Sequence, residues 1–237
     1  MNKSICDKFE NKLKKISITI GLIFLLIFWQ IIPIIILKLL NINTDNLNET
    51  IKILITFCFD ILLLLLFILM YRKTLIRDFK NFFNKDVKNH LKEAFSTWLI
   101  GFGIMIASNL LITIITNGTL AQNEESVRTL IDSYPIYMLF QLMIYAPLTE
   151  EIIFRKSIKD FCTNKIVYII TSGLVFGGLH VITSLTSPQG LLYLIPYCAL
   201  GCVFAYLYQK TDNIFSTITI HSFHNVLAFL IYIRGIK

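Results

Sequence analysis

Charge is scarce in this sequence. Lys, Arg, Asp and Glu make up 16% of its 237 residues against 55% hydrophobic residues, and mean hydropathy is +0.68. So much apolar surface cannot be hidden in a water-soluble core, which points to a multi-spanning membrane protein. The five cysteines, Cys6, Cys58, Cys162, Cys198 and Cys202, form an odd set with no Cys-x-x-Cys spacing. Neither a disulfide framework nor a structural zinc site is thus indicated, and Cys198 and Cys202, which share a helix face, read as small packing residues. No internal repeat or low-complexity tract is visible, and the sequence lacks the interleaving of basic and aromatic residues typical of nucleic-acid surfaces. The net charge of +7 instead collects between apolar runs, where Lys and Arg orient membrane insertion. Nucleic acid is therefore not an expected partner; membrane lipids are.

What the sequence does contain is a series of long apolar runs. Residues 17–40 are too long for a secretory signal core and lack a small-residue cleavage site, so they read as a first span kinked at Pro33. Residues 51–71 form a second, with Asp60 near its middle as an interhelical hydrogen-bonding group or a functional acid. Residues 72–93 set Phe79, Phe82, Phe83, Val87 and Leu91 at helical spacing among Lys and Arg, the pattern of a basic interfacial helix or of a solvated connector. Residues 94–116, 134–154, 166–182, 191–208 and 214–233 are the remaining spans, and 117–133 a polar loop. The expected fold is all-α, a polytopic transmembrane helical bundle of about seven spans plus a basic interfacial helix. The Lys/Arg-rich segments before the first span, after the second and after the fourth fall on one side, which places the N-terminus in the cytoplasm.

The stretch Ala146-Pro147-Leu148-Thr149-Glu150-Glu151-Ile152-Ile153-Phe154-Arg155 sets two carboxylates and an arginine inside an apolar run. A charge within a span costs at least about 2.5 kcal/mol, and those that occur usually mark a pathway or a catalytic centre. Residues four apart share a helix face while neighbours diverge, so Glu151 pairs with Arg155 and Glu150 is left facing the bundle interior. Pro147 loosens the backbone beside them. The bland alternative is that the span ends here, with all three charges in the interface.

The histidines weigh against that alternative. Three of the four, His180, His221 and His224, lie in apolar runs after the glutamates. His180 closes Phe176-Gly177-Gly178-Leu179-His180, where the glycines permit close approach and Phe176 shares the histidine's face. In His221-Ser222-Phe223-His224-Asn225, His221 and Asn225 share a face as a donor pair suited to an oxyanion, each donor worth about 3 to 4 kcal/mol. His224 points to one side and reads as a supporting or packing group. A carboxylate, an imidazole and a donor pair suffice to hydrolyse an amide with water: Glu150 would take a proton from a water also held by His180 and later deliver it to the leaving amine. The same groups could instead ligate zinc at an open site, although Asn is a poor zinc ligand and no His-Glu-x-x-His pair is present. No cofactor is firmly implied.

The ordered set Glu150-Glu151-x-x-x-Arg155, Phe176-x-x-x-His180 and His221-x-x-x-Asn225 on successive spans resembles the CAAX prenyl protease and bacteriocin-processing family, also called the Abi family. The resemblance covers roughly residues 134–232, and divides the chain into N-terminal spans with the interfacial helix, 1–133, and a catalytic membrane core, 134–237. It implies an intramembrane glutamate-dependent endopeptidase acting on a membrane-associated peptide or lipid-modified protein, in peptide maturation or self-immunity if bacterial and in CAAX processing if eukaryotic; the Lys-, Asn- and Ile-rich composition points to a bacterial plasma membrane. On this resemblance Glu150 and His180 activate the water, His221 and Asn225 hold the oxyanion, and Glu151, Arg155 and Phe176 support them. The family's sixth-span glycine pattern survives only as Gly201 followed by Ala205.

One geometric condition accompanies this reading. If the fourth span ended at Phe154 and the fifth began at Ile166, Glu150 and His180 would differ in depth by about 15 Å. The fourth helix must therefore continue past Arg155, or the fifth start later. Two other functions compete: a non-catalytic immunity or scaffold protein of the same fold, and a transporter relaying protons through Asp60, Glu150 and the histidines.

Overall fold

The computed structural model describes residues 3–85, 87–185 and 188–235, and among them every regular element is helical. Contacts divide the chain into two compact units, Met1–Arg72 and Lys73–Lys237. The division at 133/134 drawn from the sequence marks where the motifs begin, which is a different criterion.

The first unit holds α1 (Lys3–Phe28), a single tight turn at Trp29–Ile31, α2 (Ile32–Leu39) and the start of α3 (Glu49–Lys85). The change of pitch falls just before Pro33, which lacks an N–H and crowds the preceding turn. Beside the break, the Trp29 indole N–H donates to the Phe59 carbonyl at 2.9 Å. Asp60, the next residue of α3, is buried.

The second unit takes the end of α3, then α4 (Val87–Ile115), α5 (Gln122–Ser133), α6 (Pro135–Phe161), α7 (Lys165–Val181), α8 (Leu194–Thr211) and α9 (Ile214–Ile233). Residues 72–85 and 87–93 are helical as expected, the former in the end of α3 and the latter in the start of α4. Residues 117–133 correct the sequence reading, because α5 occupies most of that polar stretch. Its Glu124–Arg128 pair at 2.9 Å lies on the wet side, while Val127 and Ile131 pack against Met138 and Phe229.

Among the described residues six helices are long and apolar enough to cross a membrane, and α7, where the fifth span was expected, is apolar but shorter. The chain is an integral membrane protein. α7 and α8 pack in direct contact: a Cβ on Gly173 would stand 2.2 Å from Cys202 Sγ, one on Gly177 2.4 Å from Cys198 Sγ, and one on Gly201 2.9 Å from Gly173 Cα. Small residues let these backbones touch, as in membrane helix pairs generally. Gly201 thus keeps the close packing that the incomplete glycine pattern had left in question.

The end of α3 holds the start of α9. The fully buried carboxylate of Asp78 accepts the Ile214 backbone N–H at 3.1 Å and pairs with Arg77 Nε at 2.7 Å, while its backbone carbonyl accepts from Asn213 Nδ2 at 2.8 Å. An acid at a helix N-terminus answers both the orphan N–H groups and the helix dipole.

Candidate active site

α6 is not a regular α-helix. Two wide π-helical stretches, Gln141–Tyr145 and Glu151–Ser157, flank a short α-helical piece, Ala146–Glu150. The first follows from Pro147, which has no N–H for the carbonyl of Met143 in an α register or of Leu142 in a π register. Both carbonyls are taken from α9: Asn225 Nδ2 donates to Leu142 O at 3.1 Å and Ser222 Oγ to Met143 O at 2.7 Å. The distortion is therefore locked to the helix that carries His221.

Glu151 and Arg155 pair across the second wide stretch, Oε2 to Nε at 3.0 Å, with both side chains fully buried. The contact is an ion pair outside good hydrogen-bond alignment; Arg155 Nη1 makes the directed bond, to Ser172 Oγ at 2.9 Å, and Ser172 in turn donates to Phe154 O at 2.7 Å. The guanidinium lies 4.8 Å from the ring centre of Phe176 and 5.7 Å from that of Phe204, two desolvated cation–π contacts.

His221 joins the two glutamates. Its Nδ1 stands 2.9 Å from Glu151 Oε1 and its Nε2 3.8 Å from Glu150 Oε2. Glu151, ionised beside Arg155, can only accept, so Nδ1 carries the proton and the Nε2 lone pair faces Glu150. Glu150 Oε2 is buried without a hydrogen-bond partner. Carboxylate, imidazole and orienting carboxylate stand in the relation of a base held by a third group.

A family model described as type II CAAX prenyl endopeptidase Rce1-like matches residues 132–227. Over this segment the chain is similar to that family. Over 175 residues the chain is 27% identical to the UPF0177 protein YxdF of Lactococcus lactis, covering 71% of this chain and 90% of that one. It is 28% identical over 123 residues to a Bacillus subtilis protein named "Putative membrane peptidase YdiL", covering 51% of this chain and 47% of that one. A second Lactococcus lactis protein, UPF0177 protein YbdI, is 25% identical over 156 residues. No solved structure matches.

Within the matched segment the condition on depth is met. α6 runs to Phe161 and α7 starts at Lys165, so Glu150 and His180 lie within about one helical turn of a common level. Even so, among the described residues no hydrogen bond or ion pair joins His180 to Glu150, His221 or Asn225. His180 Nδ1 donates to Phe176 O at 2.9 Å, and its ring stacks between Phe176 at 4.3 Å and Tyr197 at 5.0 Å. The Phe176 ring thus adjoins both imidazoles, 4.3 Å from His180 and 6.1 Å from His221. Asn225 spends one N–H on Leu142 O, and His221 spends its N–H on Glu151 rather than standing beside Asn225 as a free donor.

Zinc does not fit this donor set. Glu151 is committed to Arg155 and His221, only Glu150 and the far nitrogen of His221 converge, and among the described residues no three His, Cys, Asp or Glu side chains gather as a metal site. A cavity of about 540 Å³ lies elsewhere, lined by Thr116, Glu125, Thr183, Ser184 and Tyr193 at the ends of α4 and α7.

The sequence reading missed Ser172, Phe204, Ser222 and Gly173. Ser172 could have been found, because Ser172-x-x-x-Phe176-x-x-x-His180 is one stripe of α7. Phe204 and Ser222 carry no such signal. Their roles exist only across helices.

Proposed function

We propose that this chain is an intramembrane glutamate-dependent endopeptidase that hydrolyses a peptide bond in a membrane-associated peptide or lipid-modified protein. The observation that carries the reading is the buried Arg155–Glu151–His221 relay ending 3.8 Å from the Glu150 carboxylate. Glu150 takes a proton from water as the oxygen adds to the peptide carbonyl carbon, and His180, with Nδ1 held by Phe176 O, offers Nε2 to the water's other hydrogen. Glu150 and His221 hold the proton between them, and the imidazolium so formed is balanced by Glu151 and adjoins the tetrahedral oxyanion, to which Asn225 donates its second N–H. The proton then passes to the leaving nitrogen, the C–N bond breaks, and a carboxylic acid and an amine are released.

The Lys-rich segments and the bacterial relatives support a bacterial plasma-membrane setting with a cytoplasmic N-terminus, in peptide maturation or self-immunity. The test compares wild type with Glu150→Gln, reconstituted in liposomes, on a library of lipid-anchored peptides read by mass spectrometry. Cleavage lost in a folded Glu150→Gln protein is the expected result. Equal product from both proteins would refute glutamate-dependent catalysis, and protection of cells by Glu150→Gln would favour an immunity or scaffold role.

A further inference from the structure

The polar side chains of α9 point to one more group facing the substrate. Ser222 Oγ is engaged by Met143 O, Asn225 by Leu142 O, and the His221 N–H by Glu151. His224 differs from all of these. Its Nδ1 is 3.2 Å from the indole nitrogen of Trp98, which can only donate. His224 Nδ1 must therefore be the acceptor, so the neutral ring carries its proton on Nε2. No protein acceptor meets that N–H among the described residues.

The surroundings hold this ring in place without using its second nitrogen. Trp98 is buried in a cluster with Ala94, Phe204, Leu207 and Ile220, and stacks on Phe102 at 4.6 Å. The His224 ring packs at steep angles against Trp98 and Phe102, with centroids at 6.3 and 6.1 Å. It is thus a polar group set in an aromatic wall contributed by α4. On α9 it stands three residues after His221, close enough to be a neighbour on the same helix surface.

We propose that His224 Nε2–H is a hydrogen-bond donor to a substrate carbonyl oxygen next to the reacting bond, with Trp98 as the positioning residue that sets its tautomer. The inference rests on the endopeptidase reading. Asn225 and His224, lying to either side of His221, then supply donors from the protein while His221 remains free to exchange its proton with Glu150. Trp98, in an otherwise motif-free part of the chain, becomes part of the site.

The test uses the full chain in liposomes with the same lipid-anchored peptide library, together with ¹⁵N spectra of histidine-labelled protein. His224 is identified in those spectra by the signal absent from His224→Gln. The expected spectrum shows His224 unprotonated at Nδ1, a preference that Trp98→Phe erases. His224→Phe is expected to lower kcat about a hundredfold, in the range of a lost oxyanion donor, while His224→Gln, which restores an N–H, recovers at least about tenfold of that. A merely structural ring would give Phe and Gln the reverse order. If wild type cleaves in a Glu150-dependent way and His224→Phe cleaves equally well, this proposal fails and the endopeptidase reading stands. If cleavage does not depend on Glu150, both fail. A His224 protonated at Nδ1 overturns the tautomer and the proposal with it.

Discussion

Removing Arg155 should be among the most damaging single changes in this protein. Its guanidinium is the counter-ion of Glu151 at 3.0 Å, both side chains are fully buried, and the rings of Phe176 and Phe204 lie against it. Arg155→Ala leaves an uncompensated buried carboxylate, which costs about 3 to 5 kcal/mol. The bond to Ser172 adds little, because Ser172 keeps its own bond to Phe154 O. Adding Glu151→Gln removes the stranded charge and should return at least about 2 kcal/mol, a coupling well above the few tenths expected of independent sites. Denaturant titration in lipid-detergent micelles, followed by the fluorescence of the two tryptophans, Trp29 and Trp98, measures both variants. The double variant should regain stability but not cleavage, since its His221 faces an amide in place of a carboxylate. A loss under about 1 kcal/mol for Arg155→Ala, the size of an exposed ion pair, or strict additivity of the two changes, would refute the reasoning.

The glycines of α7 separate by neighbours: Gly177→Ala sets a Cβ 2.8 Å from the Cys198 backbone nitrogen and should cost about 1 to 3 kcal/mol, whereas Gly178→Ala, with nothing within 4 Å, should be neutral or stabilise by up to about 1 kcal/mol, read in the same titration. Asn225→Ala strands the Leu142 carbonyl at a cost of about 1 to 3 kcal/mol, and Pro147→Ala, which restores an N–H, should shrink that penalty; an unchanged penalty in the double variant breaks the link between the proline and the asparagine. Asp78→Ala removes the acceptor of the Ile214 N–H and should cost about 1 to 2 kcal/mol, with hydrogen exchange fastest in the first turn of α9; uniform exchange along α9 would count against it.

Much of the site was legible in the sequence because it depends on spacing within one helix. The Glu151–Arg155 pair follows from a separation of four, and it persists across a π-helical stretch because a long Arg side chain tolerates the wider turn. The alignment Phe176 to His180 follows likewise, and the ring contact at 4.3 Å is its result. The condition that α6 must outrun Arg155 was also deducible, from depth alone. By contrast, α5 was hidden because its polar wet face outweighs a narrow apolar stripe, and the run from 72 to 93 was read as one element although its described residues fall in two, α3 and α4.

The sequence by itself determined that this chain lies in a membrane, which runs are apolar helices, and which few polar residues those runs carry, because each of these depends on composition and on the periodicity of a single helix. Tertiary structure alone decided how these residues pair: His221 with Glu151 instead of beside Asn225 as a donor, Asn225 with a carbonyl freed by Pro147, and His224 with Trp98. The reason is physical. A buried donor or acceptor is satisfied by whatever neighbouring helix presents a partner, and that depends on the rotation and depth of helices packed far apart in sequence.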